Sequence, residues 1–314
     1  MRLEEFCGNA RTVSALREMF RQGRLPHALC LEGEDGTGKK SLARICAAAA
    51  LCQSPQASRP CGECLACGKV ERGIHPDVMV LSGGKGSRSF HIDAIRSLRQ
   101  EAYLSPNEGR AKVFILADAH TMTVQAQNAL LKLIEEPPQE ALFLLTVRSR
   151  QLLLPTILSR VVTLSVEAPT VAECAARLGQ LRPGTDPAQL EEAARKAWGN
   201  VGEALQLLEG GEKHPPNEEA RRLLEYLTAG DEYAALALFV PYEKDRAGLS
   251  RLLDRLLTAA RLGASVQDPS RRLLTPLQET HLEELCAQAA RMNEQNVSVP
   301  LLAAVFCSQA AASL

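Results

Sequence analysis

The sequence predicts a parallel α/β domain followed by helical regions, and three observations carry that expectation. Short apolar, β-rich runs alternate with helical stretches as far as Ser165; the first run ends in a glycine-rich loop that opens a helix; beyond Ser165 the strand-like runs stop and apolar residues recur at helical spacing. Strands separated by helices require crossover connections, which give a parallel sheet covered on both faces, with ligands at the carboxyl ends of its strands.

Element by element, HALCLEG (His27 to Gly33) is a short apolar run ending in glycine, and KKSLARICAAAALC (Lys39 to Cys52) has the composition and length of a helix. DVMVLSG, AKVFILADAH and ALFLLTV follow as further strands, separated by the helical stretches IDAIRSLRQEAYLS and TVQAQNALLKLIEE. EEPP (Glu135 to Pro138) ends the second of these helices, because proline disfavours helical backbone in the residue before it. The first domain spans 1–165. TVAECAARLGQL, PAQLEEAARKAWGN and GEALQLLEG make 166–209 a small helical domain, and GGEKHPPNEE (210–219) reads as a polar linker. Five further amphipathic stretches, from ARRLLEYLTAG to SVPLLAAVFCSQAA, make 220–314 an all-helical domain.

The chain has 314 residues, 46% hydrophobic and 23% charged, enough for two or three domains. Its net charge of −1 gives no overall electrostatic footprint for polyphosphate, so contact with DNA is expected to be local or supplied by partners. The opening MRLEEFCGNARTV carries charges where a secretory signal needs an unbroken apolar run, and no stretch approaches the ~20 apolar residues of a membrane span. The expectation is a cytoplasmic protein without membrane contact.

Cytosolic thiols stay reduced, so ten cysteines invite a metal before a disulfide. Cys7, Cys30, Cys46, Cys174, Cys286 and Cys307 are scattered through apolar contexts, where free cysteine is a small buried hydrophobe. Cys52, Cys61, Cys64 and Cys67 instead form C-x8-C-x2-C-x2-C inside a polar segment too poor in apolar residues to fold unaided. Four soft ligands at that spacing and no open position point to structural Zn2+.

The loop after the first strand invites comparison with a phosphate-binding loop, whose glycines turn backbone N–H groups inward, whose lysine reaches the outer phosphates and whose hydroxyl holds magnesium. Gly33, Gly38 and Lys39 fit. Lys40 stands where the hydroxyl belongs, and Ser41 lies about 100° further round the helix. At the end of AKVFILADAH, alanine (Ala117) takes the place of the magnesium carboxylate and Asp118 that of the water-activating one. His75, His91 and His120 stand at no ligand or triad spacing, and GGKGSRS (Gly83 to Ser89) lacks the flanks of a phosphate motif.

RLPHALCLEGEDGTGKKS, the four-cysteine insert, HPDV, TVQAQNALLKLIEEPP and LLPTILSR occur in an order that resembles the AAA+ subunits of the bacterial sliding-clamp loader. The resemblance covers nearly the whole chain and is most specific up to Ser165. It implies a RecA-like AAA+ domain over 1–165 with a zinc-binding insert at 52–67, a lid over 166–209, and an oligomerising collar over 220–314. The gamma/tau motors of that family carry intact motifs, so the broken site implies a stator. Such a subunit has no independent catalysis, although it belongs to a DNA-directed DNA polymerase holoenzyme. Gly33, Gly36, Gly38 and Lys39 would be the remnant of its nucleotide loop. Gly202, in GNVGEAL, replaces the arginine with which a motor touches its own ATP. Ser159 and Arg160 match the motif that reaches the ATP of a neighbouring subunit, with Val161 in place of the motif's cysteine. The implied partners are gamma/tau motors and a delta subunit in a hetero-oligomer, and through the complex the sliding clamp and primed DNA. Two alternatives stay open: an active gamma/tau-like ATPase, which Lys39 keeps alive, and a zinc-dependent nucleic-acid reader, which the insert's mixture of Arg59, Lys69, Glu63 and Glu71 opposes. Whether nucleotide binds without being hydrolysed is also open.

Overall fold

The computed structural model describes residues 2–55, 58–82, 90, 92–209, 216–264 and 274–313. Five strands, β1 (Ala28–Glu32), β2 (Val78–Ser82), β3 (Lys112–Ala117), β4 (Ala141–Val147) and β5 (Val162–Ser165), form one sheet in the order β2-β3-β4-β1-β5. Every pairing is parallel, from Leu29 against Val162 at one edge to Val78 against Val113 at the other.

The three inner strands are buried almost throughout, which is why they read as continuous apolar runs rather than alternating ones. Successive side chains face opposite sides of the sheet. Leu29, Leu31, Val113, Ile115, Leu142 and Leu144 therefore pack with α1 (Ala10–Gln22) and α2 (Lys39–Leu51). On the other face Cys30, Phe114, Leu116, Phe143 and Leu145 pack with α4 (Ile92–Ala102) and α5 (Val124–Glu135), α3 (Leu65–Glu71) lying in the cysteine insert. The rings of Phe114 and Phe143 stack at 5.3 Å across neighbouring strands. Removing either ring would cost about 3–5 kcal/mol through the cavity it leaves.

Three elements go beyond the sequence expectation. The edge strand β5 has four residues and, among the described residues, pairs with β1 alone, and its partly exposed side chains give no apolar run to read. Helix α1, with Val13, Leu16 and Phe20 buried, precedes the first strand. A short α6 (Pro155–Leu158) leads into β5.

The chain divides into two compact units, Met1–Leu208 and Glu209–Leu314. Within the first, α7 (Val171–Leu181), α8 (Pro187–Lys196) and α9 (Val201–Leu208) enclose Cys174, Leu178, Leu190, Ala194 and Ala204. A capping box starts α7: Thr170 accepts from the Glu173 amide while the Glu173 carboxylate accepts from Thr170. The second unit is helical: α10 (Pro216–Ala229), α11 (Glu232–Ala237), α12 (Arg246–Ala264), α13 (Pro276–Glu294) and α14 (Val299–Ala311). Its core includes Leu223, Leu252, Leu256, Leu282 and Leu302, and the rings of Phe239 and Phe306 sit 5.8 Å apart. Of the stretch read as a linker, 210–215 lie outside the described residues and 216–219 open α10. Among the described residues no helix is long and apolar enough to cross a membrane.

Candidate functional site

The strand order sets β4 between β1 and β3 in parallel, so the loop after β1, the end of β4 and the residue after β3 meet at the carboxyl end of the sheet. Gly33 leaves β1, and Gly36 (φ +82°) and Gly38 (φ +95°) take up backbone that side chains other than glycine rarely adopt, bringing the chain round into α2. Lys39 is only 4% exposed. Its ammonium donates to the carbonyls of Gly33 and Glu34 and lies 3.4 Å from Asp35 Oδ1. Burial lowers the Lys39 pKa against the opposing pull of Asp35. Burial also works against ionisation of Asp35, but Arg148, which donates from Nε at 2.9 Å, and Lys39 outweigh it and hold that carboxyl below its ordinary value.

Where a hydroxyl would hold magnesium, Lys40 places Nζ 2.7 Å from Asp118 Oδ2. Asp118 follows β3 in left-handed backbone (φ 59°), and its amide donates to Thr146 Oγ1 of β4 at 2.9 Å. Ala117, buried at the end of β3, offers no ligand, and Ser41 is exposed on α2. The cation facing the Asp118 carboxylate is thus part of the protein. His120 lies in the same charge field: burial first, then Arg148, holds its pKa below the usual value, and its Nδ1 is buried without a hydrogen-bond partner.

The helical layer closes over this loop. Asn200 Nδ2 donates to the Asp35 carbonyl at 2.7 Å, and the Gly202 amide donates to the Gly36 carbonyl at 3.0 Å. A Cβ at position 202 would stand 2.5 Å from Gly36 Cα, and one at position 36 would stand 2.2 Å from Asn200 Oδ1. Neither position has room for a side chain. The arginine that the resemblance puts at 202 could enter only by prising α9 off the loop.

Arg160 stands away from this loop, in the turn between α6 and β5. Its Nη1 donates to Thr156 O at 3.0 Å and to Ser159 Oγ at 2.9 Å, and its Nη2 lies 2.9 Å from Glu135 Oε1 at the end of α5.

The four spaced cysteines come together as the sequence requires. All four sulfur atoms lie within 4.8 Å of one another, with 3.9 Å between Cys52 and Cys64 and 4.0 Å between Cys61 and Cys67. A tetrahedral ion with metal–sulfur bonds of about 2.3 Å needs sulfurs about 3.8 Å apart, so the set fits one metal ion. The amides of Glu63 and Cys64 point at Cys61 Sγ from 3.4 and 3.3 Å, and that of Cys67 points at Cys64 Sγ from 3.4 Å. Hydrogen bonding from Ser54, helped by those amides, draws Cys61 down to about 6. Burial opposes ionisation of Cys64, but the Cys67 and Gln53 amides bring it below its ordinary value. Burial pushes Cys67 up, a penalty that a bound cation would remove.

A family model described as DNA polymerase III, delta subunit, matches residues 8–170. The DNA polymerase III subunit delta' of Escherichia coli is 30% identical over 288 residues, covering 89% of this chain and 86% of that one. The chain belongs to the delta' family. Its clamp-loader kinship extends to the DNA polymerase III subunit tau/gamma of Haemophilus influenzae, 29% identical over 262 residues that cover 81% of this chain and 37% of that protein. The AAA+ fold is also that of the RuvB Holliday junction branch migration motor of Thermotoga maritima, with a TM-score of 0.53 at 19% identity, covering 90% of this chain and 97% of that one.

Several residues that shape this delta' family member were not singled out by sequence reasoning. Asp77, 2% exposed, accepts from the amides of Asn107, Glu108 and Gly109 at 2.6, 2.9 and 2.7 Å and from Asn107 Nδ2, fixing the turn that feeds β3. Its signal was present in HPDV, where an acidic residue directly precedes a strand. His75 is buried beside it, its Nδ1 accepting the Asp77 amide at 3.1 Å, a satisfied core histidine rather than a ligand. At the other end of the unit Arg2 donates from Nε to Cys61 O at 3.0 Å and pairs with Glu63, so the N-terminal segment covers the cysteine loop. His91 and the stretch Gly83 to Ser89 lie outside the described residues.

Proposed function

We propose that this chain is the stator of a clamp loader: a delta'-type subunit that does not hydrolyse ATP, sits in a cytoplasmic hetero-oligomer with gamma/tau-type motors and a delta subunit, and takes part in loading the sliding clamp onto primed DNA. The observation that carries this reading is the Lys40–Asp118 ion pair at 2.7 Å, a protein cation where a motor would hold magnesium. The absence of a carboxylate at Ala117 and the packing of Gly202 on Gly36 support the same conclusion. Gly33, Gly36, Gly38 and Lys39 then serve as a rigid turn whose lysine satisfies loop carbonyls rather than phosphates.

Arg160 is the residue assigned to act outward, as an arginine finger on the ATP of a neighbouring motor, with Ser159 bracing it. A guanidinium supplied across an interface stabilises charge on the transferring phosphoryl group and contributes on the order of 10³–10⁵ in rate where the effect is largest. Zn2+ on Cys52, Cys61, Cys64 and Cys67 would be structural, since four thiolates leave no open position for a substrate.

The reading is tested by reconstituting the chain with motor and delta subunits and replacing Arg160 with alanine. ATP hydrolysis by the complex is expected to fall by about tenfold or more, with assembly intact by size-exclusion chromatography. Hydrolysis within about twofold of the unmodified complex would remove the finger from the account.

A further inference from the structure

Arg160 already has an anion on its free arm. The last residue of α5 is Glu135, followed by Glu136, Pro137 and Pro138, and those prolines bar the helix from continuing. A carboxylate at a helix C-terminus sits among unpaired carbonyls whose partial charge disfavours it unless a cation is near. Arg160 provides that cation, 2.9 Å away through Nη2. The other arm of the guanidinium is anchored independently: Nη1 reaches Thr156 O at 3.0 Å and Ser159 Oγ at 2.9 Å, and that hydroxyl itself donates to Thr156 O at 3.0 Å.

The two arms therefore have different partners. One is fixed to the end of α6 by neutral oxygens, and the other is left to meet an anion. Arginine recognises phosphate through parallel N–H groups of its planar fork, so a phosphate approaching from a neighbouring subunit competes with Glu135 for the Nη2 side. The side chains are 39% and 38% exposed, which makes the pair shallow and exchangeable rather than a structural lock.

We infer that Glu135 is a positioning residue that parks Arg160 as a stand-in anion and must be displaced before the finger engages a neighbour's ATP. The inference rests on the finger reading proposed above. Replacing Glu135 with glutamine leaves the Thr156 and Ser159 anchors in place and frees only the Nη2 side.

The test uses the reconstituted complex with ATP and compares four forms: unmodified, Glu135→Gln, Arg160→Ala, and the double variant. Glu135→Gln is expected to raise hydrolysis by up to about fivefold, the range an exposed ion pair spans, and to change nothing when Arg160 is already alanine. That dependence on Arg160 is a readout a merely structural role for Glu135 would not give. Hydrolysis unchanged or lowered by Glu135→Gln, while Arg160→Ala still slows it, would overturn the parking role and leave the finger standing. A change of equal size in both backgrounds would overturn it too. No effect of Arg160→Ala would remove the finger and this inference together.

Discussion

Replacing Gly202 with alanine should destabilise the first unit, and the sign of the effect is the test. Position 202 is the second residue of α9, and alanine in a helix is favoured over glycine by up to about 1 kcal/mol. Without the contact to Gly36, the substitution would stabilise. In the structure the added Cβ would meet Gly36 Cα at 2.5 Å, far inside the roughly 3.5–4.0 Å of a carbon contact. The relief open to the molecule is for α9 to lift, which breaks the Gly202 amide to Gly36 O bond at 3.0 Å and strains the Asn200 to Asp35 O bond at 2.7 Å. Two hydrogen bonds at about 0.5–1.5 kcal/mol each, less up to about 1 kcal/mol of helix propensity, leave a net loss of up to about 2 kcal/mol. For a unit of this size that corresponds to a fall of up to about 8 °C in Tm. Differential scanning calorimetry measures the shift, and hydrogen exchange reads protection of the Gly202 amide directly. A higher Tm with that amide still protected would refute the packing of α9 on the loop at Gly36.

Two further outcomes follow from the same geometry. The purified chain should carry about one zinc per chain, and Cys64→Ser should lose it and speed tryptic cleavage after Lys69, in the helix that carries Cys67, by about tenfold or more, because binding energy at such sites is folding energy; metal analysis with no zinc in the unmodified chain would count against the site. Asp77 has its carboxyl held below the ordinary range: burial opposes ionisation, but the amides of Asn107, Glu108 and Gly109 outweigh it. A depressed acid stabilises above its unfolded pKa of about 4 and loses that contribution as pH falls through the folded value. Asp77→Asn should therefore cost about 1–3 kcal/mol at neutral pH and much less in acid, and melting curves that stay equally separated at both pH values would exclude the carboxylate as the source.

What the sequence made legible was local. The strand, loop and helix around Gly33 to Leu51 are contiguous, and their composition and glycine placement suffice to read them. The cysteine set was readable because its spacings are short enough for sulfurs to converge on one ion whatever the rest of the fold does. The defects at Lys40, Ala117 and Gly202 could be counted, but not what fills them. Lys40 meets Asp118 across 78 residues, and Gly202 meets Gly36 only because three helices fold back over the loop. Pairings of that kind leave no periodicity in the chain. The same holds for Glu135 and Arg160, which come from the end of α5 and the turn after α6, and for β5, whose four residues become a strand only by pairing with β1.

The central claim is that this delta' family member does not hydrolyse ATP, because a protein cation and a packed helix occupy what a motor leaves open for magnesium and nucleotide. Its most direct test is a calorimetric titration of the isolated full chain with ATP and magnesium, with phosphate release followed on the same sample. The account expects no turnover, with binding absent or independent of magnesium. Magnesium-dependent binding accompanied by turnover that Lys39→Ala abolishes would contradict it and place the chain among the motors.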